Sequence, residues 1–298
     1  MTLPPFDYRE PESLAEALAL LREHGDEARL MGGGTALTVM LRYRLVRPGV
    51  IVSLAGLPGL AGLHANGDLR IGAMTTHRAI ERSPVVRAVA PLLAEACRRV
   101  GSPTIRNMGT LGGNLASGEA ASDPAPALLA LDARVRLLGP EGERVVSLDG
   151  FFRDYYETAL EPGELVTGVT VPLLPAASGA SFVKFLPRTA DDYATVAVSA
   201  TVTLEGDGER CREARIALGA VGMTPLRARA AEAMLAGQPF GESLLRSAGE
   251  AVKSAVDPLT DHRGSAAYKR EMAAVMVGRA LGQAREAAQR AARRAQIH

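Results

Sequence analysis

The residues best suited to chemistry lie between Pro103 and Pro126, a stretch reading Pro-Thr-Ile-Arg-Asn-Met-Gly-Thr-Leu-Gly-Gly-Asn-Leu-Ala-Ser-Gly-Glu-Ala-Ala-Ser-Asp-Pro-Ala-Pro. At its centre Thr110-Leu111-Gly112-Gly113-Asn114 sets two adjacent glycines between two side chains able to donate hydrogen bonds. Paired glycines let the backbone turn its N–H groups toward one point, and no Cβ blocks close approach. That chemistry suits an anion such as a pyrophosphate. Hydrogen bonds to a charged group contribute about 1.5–3 kcal/mol each, so a few converging donors hold a phosphate without a lysine. A Gly-rich turn between two strands is the competing reading of the same residues.

A second stretch favours the anion. Gly32-Gly33-Gly34-Thr35 follows the short apolar run Ala28 to Met31 and precedes a helical pattern from Ala36 to Leu45. Strand, glycines and helix start present N–H groups and a helix N-terminus to a ligand. Two such loops in one chain make a clamp for a diphosphate. The dinucleotide fingerprint G-x-G-x-x-G is absent, and no Gly-Lys pair exists for a P-loop.

The elements that position these loops are legible in outline. Ser13-Leu-Ala-Glu16 is a capping box, with Leu14, Ala17, Leu18 and Leu21 at helical spacing and Gly25 as the stop. Val50 to Leu54 reads as a strand. Asn66-Gly67-Asp68 signals a hairpin returning through Leu69 to Ala73. Ser83-Pro84 starts a helix that runs to Gly101, with Val85, Val89, Leu92, Leu93, Ala96 and Val100 inward. Asp123-Pro124 caps a short helix from Ala125 to Leu131, where the Asp123 carboxylate serves as an N-cap, as an acceptor for a ligand hydroxyl, or as both. Arg134 to Leu138 and Arg144 to Leu148 form another hairpin. Composition shifts at Pro172 to Gly179, which places a boundary there. Phe182 to Leu186, Ala194 to Leu204 and Glu213 to Val221 read as a three-stranded antiparallel meander, with Gly206-Asp207-Gly208 joining the last two. After Pro225 the pattern is helical, its longest helix starting near Ser265 and ending in a solvated tail from Ala284 to Arg294.

Composition sets limits. A chain of 298 residues with 47% apolar residues and net charge +1 is a globular protein of about two domains, not a disordered or nucleic-acid-binding chain. No apolar run approaches the ~20 residues of a membrane span, and the N-terminus lacks a signal core, so a cytoplasmic location is expected. Cys97 and Cys211 are the only cysteines and read as buried and inert. An iron–sulfur cluster needs four, and the five histidines show no ligand spacing, so no protein-bound metal is expected.

Met31 to Thr35 and Ile105 to Asn114, with Ser122-Asp123 after them, resemble the two FAD loops of the flavoprotein subunit of molybdenum hydroxylases. The medium subunit of aerobic carbon monoxide dehydrogenase and the FAD domain of xanthine dehydrogenase belong to that family. The resemblance continues through Glu164 to Pro172, Lys184 to Tyr193 and Arg263-Gly-Ser-Ala-Ala-Tyr-Lys-Arg270, and so covers nearly the whole chain. It implies an α+β fold: a two-subdomain FAD-binding domain of the vanillyl-alcohol-oxidase type over residues 1–175, divided near 55, then a sheet-plus-helices domain over 176–298. It implies FAD held by Met31, Gly32, Gly33, Gly34, Thr35, Ala36, Gly101, Thr110, Leu111, Gly112, Gly113, Asn114, Asp123, Val166, Lys184 and Tyr193. By the same resemblance Asp123 meets a ribose or ribityl hydroxyl, Val166 packs on the flavin, Lys184 lies beside it, and Tyr193 covers the ring or the mouth where an acceptor arrives. Read alone, Lys184 is an exposed strand lysine, Tyr193 a core or edge aromatic, and Arg106 a group that orders its loop through backbone carbonyls. Ala36 departs from the family's usual Asp, Glu or Ser, which leaves only a backbone N–H at that position. The implied role is electron transfer, with no catalytic acid or base on this chain. The implied partners are a molybdopterin-binding large subunit and a 2Fe–2S small subunit, in a dimer of heterotrimers that associates with a membrane only through the complex. A self-contained FAD-dependent oxidase or reductase and a non-enzymatic nucleotide-binding module are the rival readings.

Overall fold

The protein is described here as a computed structural model covering residues 3–295, except Pro187 and Asp207. The middle of the expected turn at Gly206-Asp207-Gly208 therefore lies outside the described residues.

The chain starts with strand β1 (Asp7–Arg9), helix α1 (Leu14–His24), β2 (Ala28–Met31), α2 (Thr35–Arg42) and β3 (Val50–Ser53). The three strands form a parallel sheet in the order β1-β3-β2. β3 reads Val-Ile-Val-Ser and is buried at every position, as a central parallel strand must be. At the start of α1, Ser13 accepts from the Glu16 N–H at 3.2 Å. The Glu16 carboxylate reaches back to the N–H of Glu12 rather than of Ser13. Gly25, at φ +49°, ends the helix.

Next come β4 (Leu63–Asn66) and β5 (Asp68–Gly72), a hairpin turned at Gly67. Five short helices follow: α3 (His77–Arg82), α4 (Pro84–Val89), α5 (Pro91–Arg98), α6 (Pro103–Met108) and α7 (Leu111–Ala116). After α8 (Pro124–Ala130) the chain makes β6 (Arg134–Gly139), β7 (Gly142–Ser147), the small hairpin β8 (Phe152–Asp154) and β9 (Glu157–Thr158), and β10 (Leu165–Pro172). β10 enters the centre of a five-stranded antiparallel sheet ordered β4-β5-β10-β6-β7. Alternation sends Leu69, Ile71, Val135, Leu137, Val169 and Val171 to one face, where they build the main core with the helices. The single helix expected from Ser83 to Gly101 is two, because Pro91 cannot donate to the turn before it and opens a new helix. In the first of them Val86 is buried and the expected Val85 is exposed.

The remainder forms β11 (Ser178–Phe185), β12 (Val196–Leu204), β13 (Cys211–Gly219), β14 (Leu226–Arg227), α9 (Arg229–Leu235), α10 (Glu242–Val252) and α11 (Ala266–Ala295). Its sheet has four strands in sequential antiparallel order, one more than the expected three. The fourth has only two residues, too short to show an alternation. β12 is buried at all nine positions because both its faces are covered. One face packs on α11, where Ser181 donates to the Ala280 carbonyl at 2.7 Å and any Cβ on Gly179 would collide with the Ala284 carbonyl. The other face joins the main core through Phe182, Ala197 and Ala217. The α11 tail is not solvated all round, since Ala284 and Ala288 are fully buried against the sheet.

Candidate functional site

The two glycine stretches meet. A Cβ on Gly33 would overlap the Met108 carbonyl oxygen and crowd Gly109, and one on Gly32 would stand 2.8 Å from Thr110 Oγ1. Only glycine lets these backbones touch. Gly34, at φ +70°, swings the chain into α2, and among the described residues nothing accepts from the N–H groups of Gly33 and Gly34. The N–H groups of Thr35 and Ala36 open the first turn of α2, where an α-helix has no partner for them.

The second stretch differs from the free turn that its glycines predict. Thr110 is the N-cap of α7, and Gly112 and Gly113 lie in that helix's first turn. The N–H of Leu111 donates to the Thr75 carbonyl at 3.0 Å, and that of Gly112 to the Ala73 carbonyl at 2.8 Å. The Gly113 N–H is spent on Thr110 Oγ1. Gly112 is glycine because a Cβ would stand 2.5 Å from Ala73 Cβ. What this stretch offers a ligand is side chains. The Thr110 hydroxyl keeps its own proton to donate. Asn114 accepts at Oδ1 from the Ser122 hydroxyl, which leaves its amide nitrogen free. Gly113 is exposed, with only Thr110 Oγ1 near its missing Cβ.

Asp123 is buried, its side chain 5% exposed, and makes no cap bond to α8, so the N-cap reading fails. Its Oδ2 instead accepts from Lys184 Nζ at 2.8 Å, and Lys184 also donates to the Arg99 carbonyl at 2.9 Å. Lys184 is 1% exposed, so β11 points it inward, toward the end of α5 and the start of α8, and not to solvent. Asp123 Oδ1 is buried without a partner. Burial pushes the Asp123 carboxyl up to about 6, against the opposing pull of Lys184 and Arg99.

Tyr193 stands at the surface, 49% exposed. The Arg263 guanidinium lies 5.6 Å from its ring centroid and donates to Asp192 at 3.2 Å. Burial, then the charges of Glu119 and Asp123, raise the affinity of the Tyr193 hydroxyl for its proton. Beneath the second stretch, buried Arg106 donates to the carbonyls of Val100 (3.0 Å) and Gly101 (2.7 Å) and to Glu81 at 3.0 Å. It orders its loop as the sequence indicates, and Gly101 sits within that clamp at φ +36°. Leu111 and Val166 have buried side chains in the main core. Cys97 and Cys211 are buried, and burial raises both thiols, that of Cys211 to about 12. Among the described residues no cluster of three or more His, Cys, Asp or Glu could hold a metal ion, and no helix is long and apolar enough to cross a membrane.

Sequence reasoning missed Glu119, Tyr156 and the role of Ser122. The Tyr156 hydroxyl donates to Glu119 at 3.0 Å across 37 residues of sequence, a pairing with no local signal.

Open amide donors, hydroxyl and amide side chains and one unpartnered oxygen of the buried Asp123 carboxylate are chemistry that suits a nucleotide diphosphate carrying sugar-like hydroxyls. The comparisons name the family. The model for the FAD binding domain in molybdopterin dehydrogenase matches residues 4–174, and that for the CO dehydrogenase flavoprotein C-terminal domain matches residues 181–284. The carbon monoxide dehydrogenase medium chain of Afipia carboxidovorans is 38% identical over 281 residues, 94% of this chain and 96% of that one. The 6-hydroxypseudooxynicotine dehydrogenase complex subunit alpha of Paenarthrobacter nicotinovorans is 36% identical, covering 95% of this chain and 96% of that one. In the solved structure of reconstituted CO dehydrogenase from Oligotropha carboxidovorans, a chain 36% identical aligns with TM-score 0.93 over 96% of this chain and 100% of its own. The chain belongs to the FAD-binding family of the molybdopterin dehydrogenases. It is an oxidoreductase subunit and its cofactor is FAD.

Proposed function

We propose that this chain is the electron-transfer subunit of a molybdenum hydroxylase complex, taking electrons from iron–sulfur clusters on a partner chain and passing them to an external acceptor. The observation that carries the proposal is the buried, unpaired Asp123 Oδ1 beside the open donors of the two glycine stretches. The residues present fit FAD. The N–H groups of Gly33 and Gly34, the Thr110 hydroxyl and the Asn114 amide would hold the pyrophosphate. Asp123 Oδ1 would accept from a ribose or ribityl hydroxyl, which completes a carboxylate whose other oxygen is fixed by Lys184. Met31, Gly32 and Gly112 bring the chain close enough for those donors to converge, and Gly113 leaves the approach open. When bound, FAD supplies the redox chemistry, and the protein supplies position and electrostatics. In this reading Tyr193, with its Arg263 partner, would cover the site and set access to it.

In this reading residues 1–175 form the cofactor domain, in two subdomains divided near 55, and 176–298 form the closing domain. A molybdopterin-binding large subunit performs the substrate chemistry and a 2Fe–2S small subunit relays electrons, in a cytoplasmic dimer of heterotrimers. Relatives of similar identity are named for carbon monoxide and for 6-hydroxypseudooxynicotine, so the substrate is not fixed by this type of chain. The test is anaerobic. The FAD-loaded chain, alone and then in the reconstituted complex, is mixed with substrates of the relatives while flavin absorbance is followed. The expected result is bleaching in the complex only. Bleaching of the isolated chain at catalytic rates by a small organic substrate would replace this reading with a self-contained oxidase.

A further inference from the structure

The segment from Ser117 to Asp123 carries two groups of the site, Ser122 and Asp123, yet it has no regular structure of its own. Its shape rests on discrete bonds. Ser117 donates to the Asn114 carbonyl, the Ser122 N–H to the Glu119 carbonyl, and the Ala220 N–H to the Ala120 carbonyl. Glu119 is the pin of the segment. Its Oε1 accepts from the Ala121 N–H at 3.0 Å and its Oε2 from the Tyr156 hydroxyl at 3.0 Å.

Tyr156 is an odd residue for its place. It sits in the tight turn between β8 and β9 at φ +57°, where a non-glycine residue is strained by about 1 kcal/mol or more. It is 60% exposed, so burial does not account for an aromatic there. Glycine or asparagine would make the turn with less strain. What tyrosine adds is a hydroxyl that reaches Glu119. The contact is close along the backbone too: a Cβ on Gly118, itself at φ +61°, would stand 3.0 Å from Tyr156 Cα. Partial desolvation of the hydroxyl, though the ring is exposed, and then Glu119 hold the Tyr156 hydroxyl protonated up to about 12, so it stays a donor at any ordinary pH.

We infer that Tyr156 and Glu119 are positioning residues of the FAD site: a strained turn of the β8–β9 hairpin clamps the segment that presents Ser122 and Asp123. Through Ser122 the clamp reaches Asn114, and through Asp123 it reaches the Lys184 pair. This inference rests on the FAD reading of the site.

The test uses the full chain stripped of FAD and titrated with it, following flavin fluorescence and visible circular dichroism. Tyr156→Phe keeps the ring and deletes the hydroxyl. The expected result is a dissociation constant raised about tenfold, the scale of one hydrogen bond to a charged group, with an altered dichroic band. Glu119→Gln keeps one acceptor oxygen and falls between wild type and Glu119→Ala. Tyr155→Phe, on the same hairpin, matches wild type. Each variant's melting temperature without FAD is measured alongside, and a fall only there, with affinity and dichroism unchanged, reduces the clamp to a structural contact and overturns the inference. Wild-type affinity and dichroism in a folded Tyr156→Phe do the same. Failure of the wild-type chain to bind FAD would overturn the site reading instead, so the two failures are distinct.

Discussion

Replacing Lys184 with Met removes the ammonium that faces the buried Asp123 carboxylate and leaves a side chain of similar length. In the native chain, burial has already raised Asp123 from 3.8 to about 6. At about 1.36 kcal/mol per pH unit, that raised value lowers stability by roughly 3 kcal/mol at pH 7. For an acid whose folded value lies above its unfolded one, stability is full at low pH and is lost as pH rises through the window. In the native chain the loss levels off above about 6, where Asp123 ionises beside Lys184. Without the lysine the carboxyl stays protonated at pH 7, and the loss continues to roughly 4.4 kcal/mol there. The variant should therefore be destabilised by an extra ~1.4 kcal/mol at pH 7 and ~2.8 kcal/mol at pH 8, falling to near zero at pH 5. A pH-independent cost of about 1–3 kcal/mol adds to this, because the Arg99 carbonyl loses its donor. Urea unfolding of the FAD-free chain at pH 5, 7 and 8 reads the difference. A stability gap between variant and wild type that is equal at pH 5 and pH 8 would refute the reasoning and with it the buried ionised pair.

Gly33→Ala should push the two glycine stretches apart at the Met108 carbonyl, destabilising the chain by roughly 1–3 kcal/mol and lowering the flavin-to-protein ratio after gel filtration. Gly113→Asp meets only Thr110 Oγ1, at 2.9 Å, so the fold should survive while a carboxylate occupies the phosphate's approach; unchanged flavin content would count against that placement. His77, which burial and then Arg106 lower to about 4, should make the chain acid-sensitive. Its neutral form contributes stability that is full above 6.5 and is lost as pH falls toward 4, by up to roughly 3 kcal/mol. Asp123 acts in the opposite direction across much of that window, so His77→Gln should show a flatter or reversed acid limb in thermal unfolding.

Local signals survived folding where local chemistry decides the outcome. The Asn66-Gly67-Asp68 hairpin, the Ser13 cap and the glycine stop at Gly25 need only nearby residues, and each appears in the structure. The glycines at 112 and 113 read as a free turn and not as a helix start, because what sets their geometry is the Ala73 to Thr75 backbone some forty residues earlier. Lys184 read as a surface lysine for the same reason. Its partner Asp123 lies 61 residues away, and strand alternation cannot say that both faces of a strand are covered. The Tyr156–Glu119 bond and the two-residue β14 leave no periodic trace at all.

The glycines therefore divide by role. Gly32, Gly33 and Gly112 are places where one backbone must touch another, and Gly113 is where space is left for something else. Donors then converge only because those contacts hold the first loop against the start of α7. The same logic makes the site a property of the whole chain. Both glycine stretches and Asp123 precede residue 175, but the cation that lets Asp123 ionise comes from β11, and Tyr193 follows it. Cut from that strand, the N-terminal part would keep every phosphate donor. It would hold Asp123 as a neutral acid or open it to water, and in neither state does the carboxylate remain a buried, oriented acceptor for a cofactor hydroxyl. If the proposed site is right, the lysine that sequence alone placed on the outside is the group through which the C-terminal sheet would complete it.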